Sequence, residues 1–396
     1  MPEAVKINST ILKSLRNHYG LSVNDLAVRS KVATELITEW EAGPSEVEIT
    51  QLAKLSRPLR RNWTVFLLDS IELPDAIKRD NRSVGNQKID QPILESVLAL
   101  ERAERLLKFA PEIKRQKGLQ LPDFSISRND DPEDKGEEFR KLLGITKAKQ
   151  LTLQTNYQAL NFWKDTINDL GIYIAEMPLP NETIKAFSMM DKGEAIIVVS
   201  TKDTVYSRIF SLFHELCHIL LNQSNGICDL HTGDSNVIET YCNYFAASFL
   251  LGRQELAKDL KRLGIKDGQR PPDSVVARIS RLYNVSPLVV YRRLVSTGHL
   301  TNEQYSVIHD DYMANYWSYK DAQDKAKEEK EKSDDKSDYF PFYRIAVNSR
   351  GKRFIQDVFS ANAEGKISYR DIGTILDVTQ KQIPKLKETA FNSSVG

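Results

Sequence analysis

The chain of 396 residues is poor in cysteine, close to charge balance and without a long apolar run. Three cysteines, Cys217, Cys228 and Cys242, are too few and too odd in number for a disulfide framework. No run of roughly 18 apolar residues is present to cross a bilayer, and the opening MPEAVKINSTILKSL lacks the apolar core of a secretory signal. With 55 Lys and Arg against 54 Asp and Glu, the net charge is +1, so the totals show no strongly basic nucleic-acid-binding surface. These absences argue against a membrane-spanning protein and a secreted disulfide scaffold. They leave a soluble protein of the reducing cytoplasm, and the length predicts two to four compact units. No repeat of fixed period is visible.

The first 70 residues read as a row of short helices. INSTILKSLRNHYG has helical apolar spacing and closes on Gly20, and Ser22 caps VNDLAVRS with Asp25 in the capping-box position. After the turn SKVA, Thr34 is expected to cap TELITEWEAG, and EITQLAKLSR makes a further helix. Helix, tight turn, helix, with small Ala27 at the close approach, is a helix-turn-helix pattern. With WEAG and ITQLAKL, it resembles the Cro/C1-type (Xre) helix-turn-helix family. Lys31, Thr34 and Thr38 are its candidate DNA contacts. The presumed reading helix nevertheless carries Glu35, Glu39 and Glu41, which phosphates repel, so docking of a protein partner is the favoured use.

A polar stretch around Pro74 reads as a hinge, Ile93–Gln116 as a long helix and GLQLPDFSISRNDDPEDKG as a loop. From Glu137 the pattern becomes mixed. YQALNFWKDTINDLG is helical, IYIAEMPL and AIIVVS are strands, and TIKAFSMM is a weaker strand. AIIVVS reads equally well as a core strand or as an edge open to an added strand. PDSVVARISRLYNVSPLVVYRRLVSTG forms a second helix-turn-helix-like unit, with Ser286 as cap and Pro287 at the first helical position. A charged run, KDAQDKAKEEKEKSDDKSD, separates it from a last helical segment.

Between these, FHELCHILLN places His214 and His218 four residues apart on one helix face, able to share one ion. Glu215 lies about 100° round, beside that ion, where a carboxylate can take a proton from bound water. Ile209, Phe213, Leu216 and Leu220 make the opposite side apolar, so the helix should be buried. Buried imidazoles beside a carboxylate are best explained by Zn²⁺. A third ligand is needed, and Cys228, Asp229, His231, Asp234 and Glu239 are candidates. Glu239 is favoured because a helix holds a ligand more accurately than a polar loop. For an oxyanion stabiliser, Tyr206, Tyr241 and His231 remain open, while His18, His299 and His309 read as ordinary surface or core residues.

FSLFHELCHILL followed by IETYCNYFAASFLL resembles the ImmA/IrrE family of metallopeptidases, with matches at Glu239, Asn243, Phe245 and Ala246. Cys242 stands where alanine is usual and is read as a small core residue. The resemblance implies His214, His218 and Glu239 as zinc ligands and Glu215 as catalytic base. It also implies a substrate that is a regulatory protein, an Xre-type repressor or antitoxin, whose cleavage relieves repression of phage, mobile-element or stress genes. A non-catalytic DNA- or protein-binding regulator or toxin is the alternative.

The expected fold is α+β and mostly helical. It comprises a helix-turn-helix domain (1–74), a helical connector (75–136), a minimal zincin-like peptidase domain with a small sheet (137–265) and a second helix-turn-helix-like unit (266–310). A charged linker (311–338) and a small C-terminal helical segment (339–396) follow.

Overall fold

The computed structural model describes residues 4–59, 61–71, 94–113, 119–180, 184–225, 235–315, 342–343, 346–347 and 351–392. The hinge around Pro74, the loop residues Cys228, Asp229, His231 and Asp234, and most of the charged run lie outside them. The chain is mostly helical with two small sheets. It divides into two compact units, Met1–Arg105 with Pro178–Lys185, and Leu106–Met177 with Ala186–Gly396. Among the described residues, no helix is long and apolar enough to cross a membrane.

In the first unit, α1 (Ser9–His18), α2 (Val23–Ser30), α3 (Thr34–Ala42) and α4 (Ile49–Ser56) form the helical row. Ser22 and Asp25 make the reciprocal capping box expected of them. Thr34 is not a cap: Ala33 holds that position without a side-chain bond, and Thr34 opens the helix. A two-stranded antiparallel sheet, β1 (Ala4–Ile7) with β2 (Ser45–Glu48), ties the chain start to the far end of α3. Leu12, Leu15, Leu26, Ile37, Leu52 and Leu55 fill the core. The first turns of α5 (Leu94–Ile113) bring in Glu101, buried between His18, Tyr19 and Arg61.

In the second unit, the expected loop ends early. Asp131 caps α6 (Pro132–Leu142), so PEDKG is helical, with Pro132 at the first position. Gly136 lets α6 lie against α10 (Ser235–Leu250): a Cβ there would meet Phe245 O at 2.6 Å and Phe249 N at 3.1 Å. After α7 (Lys147–Leu151) and α8 (Asn156–Asp169), the three-stranded sheet runs β3–β5–β4. β3 (Ile172–Met177) pairs parallel with β5 (Glu194–Ser200), and β4 (Ala186–Asp191) pairs antiparallel with β5. Lys192 and Gly193 both have positive φ, 49° and 82°, which matches the two-residue turn that suits a twisted hairpin. AIIVVS is therefore the central strand, buried throughout, and the weaker candidate TIKAFSMM supplies an edge.

The motif helix α9 (Val205–Asn225) follows β5 directly. Phe213 stacks on Phe249 of α10 at 4.2 Å and meets Trp163 of α8 edge-on at 5.1 Å, clamping three helices. Glu176 of β3, buried, binds Lys164 of α8 at 3.2 Å and Arg208 of α9 at 3.3 Å. α11 (Arg253–Arg262), α12 (Asp273–Tyr283), α13 (Pro287–Ser296) and α14 (302–315) come next. Then α15 (Lys352–Ala363), α16 (Tyr369–Leu376) and α17 (Ile383–Asn392) close the chain. Ser286 caps α13 as expected, but Val289, Val290, Arg293 and Leu294 are buried, so that helix is internal scaffold.

Candidate metal centre

Two helices build the site. His214 and His218 lie one turn apart on α9, and Glu239 stands on the first turns of α10 facing them. His214 Nε2 is 3.2 Å from His218 Nε2 and 3.0 Å from Glu239 Oε2, and His218 Nε2 is 3.4 Å from Glu239 Oε1. Among the described residues, these three form the cluster of donors able to hold one ion. Tetrahedral zinc with bonds of about 2.0–2.1 Å sets its ligand atoms about 3.3–3.4 Å apart. The observed edges fall on or just inside that spacing, and two imidazoles with one carboxylate is a donor set zinc favours, so the residues fit the ion.

Outer contacts orient the side chains of the cluster. His214 Nδ1 donates to Asn243 Oδ1 at 3.0 Å, which leaves the lone pair on Nε2, the atom facing Glu239. Asn243 lies one turn beyond Glu239 on the same face of α10. Glu215 is buried, and Ser188 of β4 donates to its Oε2 at 2.8 Å. The carboxylate is thus held on the side of the motif helix that faces the sheet edge. His218 is nearly buried, whereas the Glu239 side chain is 30% exposed.

Other sequence candidates fall elsewhere. Tyr241 lies on the opposite face of α10 from Glu239, because two residues turn a helix by about 200°. Its hydroxyl is buried without a hydrogen-bond partner, and burial, then the neighbouring Cys217 and Asp130, push its pKa up. Tyr206 sits two turns before His214, about 12 Å along the axis, where burial first and then Tyr206 raise the pKa of Tyr312. Cys217 and Cys242 are buried free thiols, and Cys242 is outside the donor cluster. His18 meets Glu101, His299 meets Thr297, and exposed His309 meets Asp310.

In the first unit, Lys31 is exposed and left-handed, Thr34 is half-buried, and the exposed Thr38 hydroxyl donates to Thr34 O at 2.9 Å. Their neighbours on the same surface are exposed Glu35 and Glu39, with Val28 79% and Leu36 37% exposed. Glu41 is held by Arg16 through two bonds of 2.7 and 2.8 Å. Exposed Arg29 lies two residues before Lys31, so the three candidate contacts have acidic, apolar and cationic neighbours.

Residues 167–295 match the peptidase M78 family, described as the IrrE N-terminal-like domain, and residues 12–66 match a helix-turn-helix family. The first match opens late in α8 and runs through α12 into α13. The chain thus joins an Xre-type helix-turn-helix to a domain of a peptidase family, the architecture expected from its motifs. No curated protein matches the chain.

Proposed function

We propose that this protein is a zinc-dependent endopeptidase whose substrate is a regulatory protein, an Xre-type repressor or antitoxin, and that cleavage relieves repression of phage, mobile-element or stress genes. The observation that carries the reading is the triangle of His214 Nε2, His218 Nε2 and Glu239 oxygens with buried Glu215 beside it. His214, His218 and Glu239 would hold the ion, and Asn243 would fix the tautomer of His214. Zinc when bound supplies a Lewis acid and a water of lowered pKa. Glu215 takes the proton of the attacking water and delivers one to the departing amine. Ser188 donates to Oε2 of Glu215 and so helps to aim the carboxylate. Because β4 is a sheet edge carrying Ser188, an extended substrate added along it would pass beside Glu215.

In this reading the helix-turn-helix of residues 12–66 docks the protein substrate, since the exposed side of α3 carries Glu35, Leu36 and Glu39 rather than cations. The buried free thiols Cys217 and Cys242 suit a reducing cytoplasm. Glu215→Gln is the decisive variant. It should retain zinc and lose cleavage of an Xre-type protein encoded beside this chain. If the Gln variant acts like wild type in cells and on that protein, the chain works as a binding module instead.

A further inference from the structure

From Ser368 onward the C-terminal segment repeats the N-terminal helix-turn-helix at an offset of 346 positions (22 to 368, 25 to 371, 32 to 378), and the helix before it ends on a left-handed glycine in both copies, Gly20 and Gly365, one residue out of that register. In both copies a serine caps the first helix of the motif through a reciprocal capping box, Ser22 with Asp25 and Ser368 with Asp371. That helix ends in both on a left-handed residue, Lys31 (φ 57°) and Asp377 (φ 50°). The next residue, Val32 or Val378, bonds back to the carbonyl of a small residue, Ala27 or Gly373. A Cβ on Gly373 would sit 3.0 Å from Val378 O, so this turn is tighter than the N-terminal one, where Ala27 is accommodated. A side chain near the end of the preceding helix tethers the loop in each copy, Arg16 donating to Leu21 O and Asn362 to Ile367 O. The second helices bury matching positions, Ile37 with Ile383 and Trp40 with Leu386.

The surface between those buried positions is inverted in charge. Glu35, Glu39 and Glu41 of the first copy correspond to Lys381, Lys385 and Lys387 of the second, all three exposed. Thr34 corresponds to exposed Gln380. Lys385 meets Glu388 at 2.8 Å and Lys387 lies 5.5 Å from the Phe359 ring centroid. Such exposed contacts are weak and readily exchanged for a stronger anion.

We propose that residues 351–392 are the DNA-contacting module of this chain, with Gln380 to Lys387 presented to the groove of duplex DNA. The second helix of this copy opens on a 3₁₀ turn, Gln380–Gln382, that runs into α17, and the start of the second helix is the part of this motif that enters the major groove. Lysines there meet phosphates and release their counterions, and a glutamine at the first exposed position has the donor and acceptor to read adenine. The N-terminal copy has the same shape with phosphate-repelling carboxylates at the lysine positions. The third left-handed turn, at Asn284 (φ 53°), leads into the internal helix α13. Of these three turns, the one at Asp377 alone leads into an exposed second helix with cationic side chains. This inference is independent of the metal site.

The test is fluorescence anisotropy of a labelled mixed-sequence DNA duplex titrated with the full chain across a salt series. Three lysine–phosphate contacts contribute about −2.7 to the slope of log affinity against log salt. The variant Lys381→Glu, Lys385→Glu, Lys387→Glu should bind at least about tenfold more weakly at low salt, with a slope shallower by about 2 to 3. The same three positions changed to Gln, which add no repulsion, should fall between it and wild type. Arg29→Glu with Lys31→Glu in the N-terminal copy should leave the affinity unchanged. Three outcomes would overturn the assignment: no binding by the full chain at about 100 μM, a lysine variant that binds like wild type, or loss of binding on changing Arg29 and Lys31 instead. Capture of a protein partner by the lysine helix without DNA affinity would overturn it as well.

Discussion

Replacing Asn243 by Leu tests how the site is held together without touching a proposed ligand. Asn243 Oδ1 accepts from His214 Nδ1 at 3.0 Å and so keeps the His214 lone pair on Nε2. Loss of such an outer contact typically weakens metal binding 10- to 100-fold, about 1.4–2.7 kcal/mol. Asn243 is exposed, so water can take over as acceptor for the Nδ1 proton in the variant. The effect should therefore lie at the lower end, near tenfold. Asn243→Asp keeps an acceptor and gives it a charge, so it should bind zinc at least as tightly as wild type. Competition against a chromophoric chelator gives all three dissociation constants. If Asn243→Leu binds zinc like wild type, or Asn243→Asp binds more weakly than the Leu variant, the orienting role assigned to Asn243 is wrong.

Ser188→Ala removes a hydrogen bond to a buried carboxylate, a contact worth about 1.5–3 kcal/mol. It should lower kcat/KM on the protein substrate roughly tenfold or more with zinc content unchanged, and an unaltered rate would refute its part in aiming Glu215. Gly136→Ala puts a methyl into the backbone of α10, and overpacking of this kind costs about 1–3 kcal/mol. Calorimetry should show a lower Tm, and an unchanged Tm would mean that α6 and α10 are less close than described. Burial alone would raise the pKa of Glu133, but buried Arg293, together with Ser296 and Arg253, holds it below the usual carboxylate range. Its contribution to stability is thus complete above the ordinary carboxylate pKa and disappears as pH falls through the lowered folded value. Glu133→Gln should cost about 3–5 kcal/mol near neutrality by leaving Arg293 without its nearest counter-charge. Urea titrations at descending pH should show that difference shrink, and a gap that stays constant into acid would refute the pairing.

Local chemistry made much of this legible in the sequence. The Ser22–Asp25 capping box, the Ser286 cap and the apolar faces of α8 and α9 depend on neighbours a few residues away. The two histidines and Glu215 stood out as candidates through helical spacing, and Glu239 through the preference for a helical ligand together with the family resemblance, and the structure brings His214, His218 and Glu239 together. What escaped depends on distant chain segments. β1 and β2 are four residues each and about 40 apart in sequence, and SEVE has the composition of a loop rather than a strand. Ser188 reaches Glu215 only because β4 packs on α9, 27 positions later. Asn243 showed in the motif, but its bond to His214 crosses two helices. Asp131 and Pro132 carry a helix-start signal that the surrounding polar residues masked. Full burial of β5 explains why a continuous apolar run belonged to the sheet centre. The C-terminal repeat was hidden because it preserves caps and buried positions while reversing its surface charges.

The central claim is that His214, His218 and Glu239 grip one zinc ion, and elemental analysis of protein purified without chelator tests it most directly. Wild type should carry about one zinc per chain, and His218→Ala should carry little or none while remaining folded. Folded wild-type protein free of any transition metal, or a His218→Ala variant with its full complement of zinc, would contradict it.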